Sequence, residues 1–213
     1  MRHGESAWNR EGRLQGHGDV PLTEAGLRQG EMVARRLAGR GAAALYTSDL
    51  GRARDMAEKI GALAGLEPIP LLDLRELDVG RWQGLAWEEV SARWPRRLRA
   101  WVAGRPGAGP PGGETLGRLA ARARRVMDGL SLRHPGETVL VVTHGGLIRV
   151  LIADMLRVSP GRRWGFRLDN GGMTVVEWGP GHRRLVCLND TCHLAGPGEA
   201  GLAGRPGEYA GPG

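Results

Sequence analysis

The chain has 213 residues and a formal net charge of +7, with 41% hydrophobic and 25% charged residues, a size and composition that suit one globular domain. It contains no apolar run of about 18 residues and no secretory leader, so we expect a cytoplasmic protein that neither spans nor binds a membrane. The positive charge comes from dispersed arginines without interleaved aromatic residues, which argues against binding of nucleic acid.

The first half of the chain alternates helical and extended patterns. These patterns predict, in chain order, a helix at Thr23–Leu37, a buried strand at Ala43–Thr47, a helix at Leu50–Leu63 and an extended segment at Ile69–Leu74. Thr23 is a suitable N-cap for the first helix, and Gly65 is a suitable end for the second. Pro70 cannot donate a hydrogen bond to a neighbouring strand, so the extended segment is expected at a sheet edge or in a loop.

The second half continues this alternation around a long loop. Its patterns predict, in chain order, helical stretches within Trp82–Trp101 with a break at Pro95, a Gly/Pro loop at Gly104–Gly113, a helix at Thr115–Leu132, a strand at Val139–Thr143, a helix at Leu147–Leu156 and strands at Met173–Trp178 and Arg184–Leu188. The run Val139–Thr143 is typical of a parallel strand covered on both faces. Strands that alternate with helices favour an α/β sandwich with a mostly parallel sheet.

These elements indicate one domain at residues 1–195. Residues 196–213 are mainly Gly, Pro, Ala and charged residues with almost nothing to bury, and we expect them to form a disordered tail. Cys187 and Cys192 fit no zinc pattern and are interpreted as ordinary thiols. The tryptophans are interpreted as core and pocket wall. The sequence does not determine the oligomeric state, and a homodimer is one of the alternatives.

Two histidines stand in contexts that suit phosphate chemistry. His3 lies between Arg2 and a glycine, and His144 follows the predicted strand Val139–Thr143, at the end of a strand where ligand sites in parallel sheets lie. A neutral histidine can attack phosphorus, and the planar guanidinium groups of Arg2 and Arg52 suit phosphate oxygens. His144 would donate a hydrogen bond to the phosphate, and the backbone amides that start with Gly145 would approach the same oxygens.

Five motifs in a fixed order carry a family resemblance. RHGESAWN, RLQGHGDVPLTEAG, YTSDLGRA, LRELDVGRWQG and VVTHGG resemble the histidine phosphatase superfamily in its phosphoglycerate-mutase-like branch, from Arg2 to about Leu194. The resemblance implies a three-layer α/β/α sandwich with a mostly parallel mixed sheet, and a reaction without metal or cofactor. Met56 departs from the family's usual threonine. The family's first strand is absent from the sequence given, and we expect codons upstream of Met1 to encode it as a short apolar run.

The resemblance also implies roles for individual residues. His3 would be the nucleophile that forms a phosphohistidine, and Glu76 would be the proton donor, with a pKa raised by burial or by the phosphate charge. The implied phosphate- and substrate-lining residues are Asn9, Gln15, Gly16 and Gly145. The segment GGET at residues 112–115 is expected mainly to cap the following helix, with some pocket contact. The remaining histidines are interpreted as structural or exposed, and they are His17, His134, His182 and His193.

The stretch from Arg13 to Thr23 resembles the phosphatase subgroups, which include α-ribazole phosphatase and broad-specificity enzymes, more than the mutases. We therefore expect a metal-independent phosphomonoesterase whose partner is a small-molecule phosphate ester. Two alternatives stay open, which are a 2,3-bisphosphoglycerate-dependent phosphoglycerate mutase and a catalytically impaired protein that binds phosphate esters. The physiological ester does not follow from the sequence.

Overall fold

The computed structural model describes residues 1–195. The predicted disordered tail at residues 196–213 lies outside the described residues. Within the described residues no helix is both long enough and apolar enough to cross a membrane.

The described residues form seven α-helices and five strands that alternate along the chain. The helices are α1 (Ala7–Arg10), α2 (Glu24–Leu37), α3 (Gly51–Ala64), α4 (Trp87–Arg93), α5 (Pro95–Val102), α6 (Leu116–Arg133) and α7 (Gly145–Met155). The strands are β1 (Ala44–Thr47), β2 (Pro68–Pro70), β3 (Val139–Val142), β4 (Met173–Gly179) and β5 (His182–Asp190). Short 3₁₀ segments lie at Leu72–Leu74, Gly80–Trp82, Pro160–Gly165 and Cys192–Leu194.

Strands β1, β2 and β3 form a parallel sheet in the order β2-β1-β3. As predicted, Pro70 lies on an edge strand, where its missing N–H is tolerated. Strands β4 and β5 form a separate antiparallel hairpin. The first residues of the chain lie between these two sheets, because His3 N donates to Thr143 O at 2.9 Å and Arg2 N donates to Gly172 O at 3.1 Å.

Helices cover both faces of the parallel sheet. On one face, Val33 of α2 and Met56 of α3 pack against Leu45 and Leu140. Met56, where the family usually has threonine, is fully buried in this packing. On the other face, residues of α6 cover Ala44 and Tyr46. The fold is therefore the expected α/β sandwich with helices in two outer layers.

Several local features differ from the sequence prediction. The segment predicted as extended at Ile69–Leu74 is strand β2 at Pro68–Pro70 followed by a 3₁₀ turn at Leu72–Leu74, and the short helix α1 was not predicted. Helix α7 begins at Gly145 rather than Leu147, because the apolar periodicity that marks the helix starts only after its two glycines. The predicted helical region from Trp82 begins with a 3₁₀ turn, and α4 starts at Trp87. Strand β3 is not fully covered, since Val139 and Val141 are only partly buried.

Candidate active site

His3 is held in one orientation by the backbone. Its side chain is buried, with 2% exposure, and Nδ1 lies 2.6 Å from the carbonyl oxygen of Gly4. Because a carbonyl only accepts, Nδ1 carries the proton and Nε2 carries the lone pair. Burial and the charges of Arg52 and Arg2 hold the pKa of His3 well below its usual range. The imidazole is thus neutral at pH 7, with Nε2 as its nucleophilic atom.

The loop after His3 packs directly on helix α2. A Cβ atom on Gly4 would overlap the carbonyl group of Gly26, so only glycine permits this approach. From the other side, Asn170 Nδ2 lies 3.1 Å from the carbonyl oxygens of both His3 and Gly4. Asn170 was not predicted as a site residue, because no local pattern marks an asparagine in a turn that reaches the first loop of the chain.

His144 lies beside His3 at the start of α7. It is fully buried, and the two imidazole centroids are 5.1 Å apart in an edge-on arrangement. Burial and the neighbouring charge of Arg52 lower the pKa of His144 well below its usual range. Neither of its ring nitrogens has a hydrogen-bond partner among the described residues. A ligand oxygen would therefore satisfy a buried donor here.

Two guanidinium groups supply the positive charge of the site. Arg52, in the first turn of α3, is fully buried and donates to the carbonyl oxygens of Gly16 at 2.8 Å and Gly18 at 2.6 Å. Burial lowers its pKa to about 10, so it remains protonated at pH 7. Arg2 is anchored by a 2.5 Å hydrogen bond from Nη1 to Leu168 O. Both charges are thus fixed around His3.

Glu76 lies over the first turn of α7. Its Oε2 accepts a hydrogen bond from Gly146 N at 3.0 Å, and its Oε1 accepts one from Leu77 N at 2.8 Å. A Cβ atom on Gly146 would overlap Oε1, so this carboxylate position requires glycine. The two amides fix the direction in which the carboxyl group faces the cavity.

The main chain around Glu76 is held by Arg122 of helix α6. Arg122 Nη1 donates to the carbonyl oxygens of Asp73 and Arg75, each at 2.8 Å, and Nη2 lies 3.2 Å from Glu76 O. The guanidinium group also forms a two-pronged ion pair with Glu114, at 2.7 and 3.1 Å. Arg122 therefore holds three main-chain carbonyl groups between Asp73 and Glu76.

The segment GGET therefore has two structural roles. Thr115 is the N-cap of α6 and accepts a hydrogen bond from Arg118 N at 3.3 Å, as the capping prediction required. Glu114 instead orients Arg122. His17 was interpreted as structural or exposed, and its Nε2 lies 2.9 Å from the main-chain oxygen of Glu76, a structural contact that the sequence did not indicate.

Asn9 and Gln15 are joined through one buried serine. Ser6 Oγ lies 2.7 Å from Gln15 Oε1 and 3.0 Å from Asn9 Oδ1. Asn170 Nδ2 also donates to Asn9 Oδ1 at 3.1 Å. Since the amide oxygens are engaged, the NH₂ groups of Asn9 and Gln15 are the atoms that suit phosphate oxygens.

These side chains share one cavity of about 1460 Å³. Eight of the nine predicted site residues line it, and they are Arg2, His3, Asn9, Gln15, Gly16, Arg52, Glu76 and Gly145. His144 is not among the lining residues, and its ring centroid lies 5.1 Å from that of His3. Residues 1–195 contain no group of three or more His, Cys, Asp or Glu side chains placed to hold a metal ion. The arrangement can bind a phosphate dianion, present a neutral nitrogen to phosphorus and exchange a proton through a carboxyl group.

Comparisons with known proteins agree with this geometry. The sequence model described as "Histidine phosphatase superfamily (branch 1)" matches residues 1–191. The chain is 36% identical over 210 residues to phosphoglycerate mutase-like protein 4 of Arabidopsis thaliana, covering 96% of this chain and 90% of that protein. It is 35% identical over 201 residues to a metal-independent phosphoserine phosphatase of the same plant, covering 93% of this chain and 83% of that protein.

A solved structure shows the same fold. A mutant phosphoserine phosphatase from Entamoeba histolytica, in complex with phosphoserine, superposes with a TM-score of 0.83 at 29% identity. The match covers 91% of this chain and 96% of that one.

Proposed function

The chain belongs to the histidine phosphatase superfamily and is a phosphatase, and we propose that it hydrolyses small phosphate esters without a metal, through a phosphohistidine on His3. The observation that carries this proposal is the state of His3. Its Nδ1 is tied to Gly4 O, its imidazole is neutral, and two fixed guanidinium groups and His144 surround it.

In the first step the ester phosphate binds between Arg2, Arg52 and His144. His3 Nε2 attacks phosphorus in line, so that a P–N bond forms as the P–O bond to the alcohol breaks. The protonated carboxyl group of Glu76 gives its proton to the leaving alkoxide. The guanidinium groups and His144 stabilise the charge on the equatorial oxygens during the transfer.

In the second step water cleaves the phosphohistidine. Glu76, now ionised, accepts a proton from the water that attacks phosphorus, and the P–N bond breaks to return neutral His3 and inorganic phosphate. General acid and base catalysis of this kind contributes about 10²- to 10⁴-fold to the rate. The hydrogen bonds from Gly146 N and Leu77 N keep the same carboxyl group in place for both steps.

Release of inorganic phosphate from a panel of esters tests the proposal. We expect the wild-type protein to release phosphate in the presence of a chelator, and vanadate to inhibit it as a mimic of five-coordinate phosphorus. His3→Ala should abolish release, whereas His182→Ala, on the exposed hairpin, should retain it. Isomerised products that require 2,3-bisphosphoglycerate would instead indicate a mutase. Ester binding without turnover would indicate an impaired binding protein, and loss of activity with the chelator would indicate a metal phosphatase.

A further inference from the structure

One end of the active-site cavity is built from tryptophans of three separate elements. Trp87 of α4, Trp101 of α5 and Trp164 of the Pro160–Gly165 segment all line it. Their ring centroids lie 5.8 Å apart for Trp87 and Trp101, 5.7 Å for Trp87 and Trp164, and 5.2 Å for Trp101 and Trp164. We call this end of the cavity, with its apolar neighbours Leu116, Leu119 and Val150, the tryptophan chamber.

The tryptophan chamber adjoins the phosphate site along helix α7. Gly146 N holds the Glu76 carboxylate, and Val150 lies four residues further along the same helix. At a rise of about 1.5 Å per residue, Val150 lies about 6 Å along the helix axis from Gly146, whose N–H holds the carboxyl group that serves the leaving alkoxide. The alcohol part of a bound ester therefore lies next to the chamber.

The polar groups of the tryptophan chamber are mainly donors. The indole N–H groups of Trp101 and Trp164 are buried and have no hydrogen-bond partner within residues 1–195. The guanidinium group of Arg163 lies 5.0 Å from the Trp101 centroid and 4.4 Å from that of Trp164, and it already donates to the carbonyl oxygens of Trp101 and Val102, so the indole N–H groups are the donors that a ligand would satisfy. Indole and guanidinium groups donate hydrogen bonds and accept none. A carbon-rich surface with buried, unsatisfied donors suits a ligand that carries an acceptor.

Resting on the proposed function, we propose that the tryptophan chamber binds the alcohol portion of the substrate and selects a carbon-rich alcohol that carries a hydrogen-bond acceptor beyond its apolar part. Such an alcohol covers the indole and aliphatic surface and accepts from the indole N–H groups. A small, strongly polar alcohol such as serine or glycerate reaches neither the apolar surface of the chamber nor its indole N–H groups. The preferred ester is thus bulkier and less polar than phosphoserine.

Two esters test this preference. Both release a primary alkoxide, so they differ in how much of the alcohol reaches the chamber and little in the chemistry of the bond that breaks. Ethyl phosphate ends before the chamber, and 4-phenylbutyl phosphate reaches into it, so the ratio of their kcat/KM values measures binding in the chamber. We expect a ratio of about tenfold or more in favour of the phenylbutyl ester. Trp164→Ala and Trp87→Ala should each bring the ratio towards one. Both esters are measured on the same preparation, so any loss of folded protein cancels.

Trp178→Ala is the matched control. Trp178 lies on β4 outside the cavity lining, donates to Asp128 Oδ1 at 2.7 Å and is covered by Arg183. Its replacement should leave the ratio unchanged. For the acceptor, 4-(4-acetylphenyl)butyl phosphate should outperform the phenylbutyl ester in the wild-type protein, and Trp164→Phe, which removes the indole N–H but keeps a ring, should reduce that advantage.

A wild-type ratio near one, or an unchanged ratio in both alanine variants at the chamber, would overturn the inference and leave the phosphatase function intact. An acetyl ester without advantage would overturn the acceptor requirement. Hydrolysis of neither ester, nor of any other phosphate ester, by the wild-type protein would overturn the proposed function and this inference together.

Discussion

At the scale of single residues, the site depends on hydrogen bonds that select protonation states and directions. The carbonyl of Gly4 selects the tautomer of His3, and two backbone amides orient Glu76. The sequence motifs predicted that these side chains meet. They did not predict Asn170, His17 or Arg122, because each acts on a distant backbone carbonyl and a single polar residue leaves no periodic or local signal.

Replacement of the carboxyl group by an amide tests the role of Glu76. Glu76→Gln should reduce turnover of alkyl phosphates by about 10² to 10⁴, and of nitrophenyl phosphate far less, because nitrophenolate leaves without a proton. Steady-state rates on both esters measure the difference. Glu58→Gln, at an exposed position of α3, is the control and should change neither rate. Equal losses on both esters would mean that Glu76 only supports the shape of the site.

Replacement of Arg122 should also reduce turnover of alkyl phosphates more than turnover of nitrophenyl phosphate, by a smaller factor than Glu76→Gln. Arg122→Gln frees the carbonyl oxygens of Asp73, Arg75 and Glu76, so the carboxyl group of Glu76 loses its fixed position. We expect kcat on alkyl phosphates to fall about tenfold or more, with a smaller loss on nitrophenyl phosphate. Arg125→Gln is the matched control. Arg125 lies on the same helix and forms an exposed ion pair with the side chain of Asp73. Uniform losses on both esters would assign Arg122 a purely structural role.

At the scale of elements, the start of α7 positions both His144 and Glu76. The apolar run of β3, the helix spacing and the turn glycines predicted the long helices α2, α3, α6 and α7 and the strands β1, β3, β4 and β5 to within a few residues, but neither α1 nor the 3₁₀ segments. The exact start of α7 was missed, because Gly145 and Gly146 contribute no apolar periodicity. The absence of their side chains instead leaves room for Arg2 and Glu76. The division into a parallel sheet and a separate hairpin was also not predictable, since it depends on how residues 1–3 lie between them.

Gly146→Ala tests this steric requirement. The added methyl group would occupy the position of Glu76 Oε1 and displace the carboxylate, so activity on alkyl phosphates should fall strongly. Alanine favours a helix over glycine by up to about 1 kcal/mol, so thermal stability should not fall in proportion. Gly129→Ala on α6, where the added methyl meets nothing within 4 Å, should keep full activity. Wild-type activity in Gly146→Ala would show that Glu76 does not need its present contact with α7.

At the scale of the whole molecule, the burial of two neutral histidines couples folding to pH. The pKa values of His3 and His144 lie well below 6.5 in the folded protein and return to about 6.5 on unfolding. Below pH 6.5 the unfolded chain binds protons that the folded protein does not, so stability falls as pH falls. Each histidine contributes a slope of up to about 1.4 kcal/mol per pH unit.

Urea denaturation at pH 7.0 and pH 5.5 measures this coupling. The free energy of unfolding of the wild-type protein should decrease over this interval by about 1 kcal/mol more than that of His144→Gln, which cannot titrate. Equal decreases in the two proteins would show that His144 titrates normally when folded.

The covalent intermediate is the central claim, and trapping it is the most direct test. A phosphate ester labelled in its phosphoryl group is mixed with excess protein and quenched in alkali within milliseconds, and the phosphorylated peptide is then mapped. We expect an acid-labile phosphate on Nε2 of His3, because Nδ1 is held by Gly4 O. Rapid hydrolysis of the ester with no phosphoenzyme at any quench time, or with the phosphate on another residue, would contradict the role of His3 as the nucleophile.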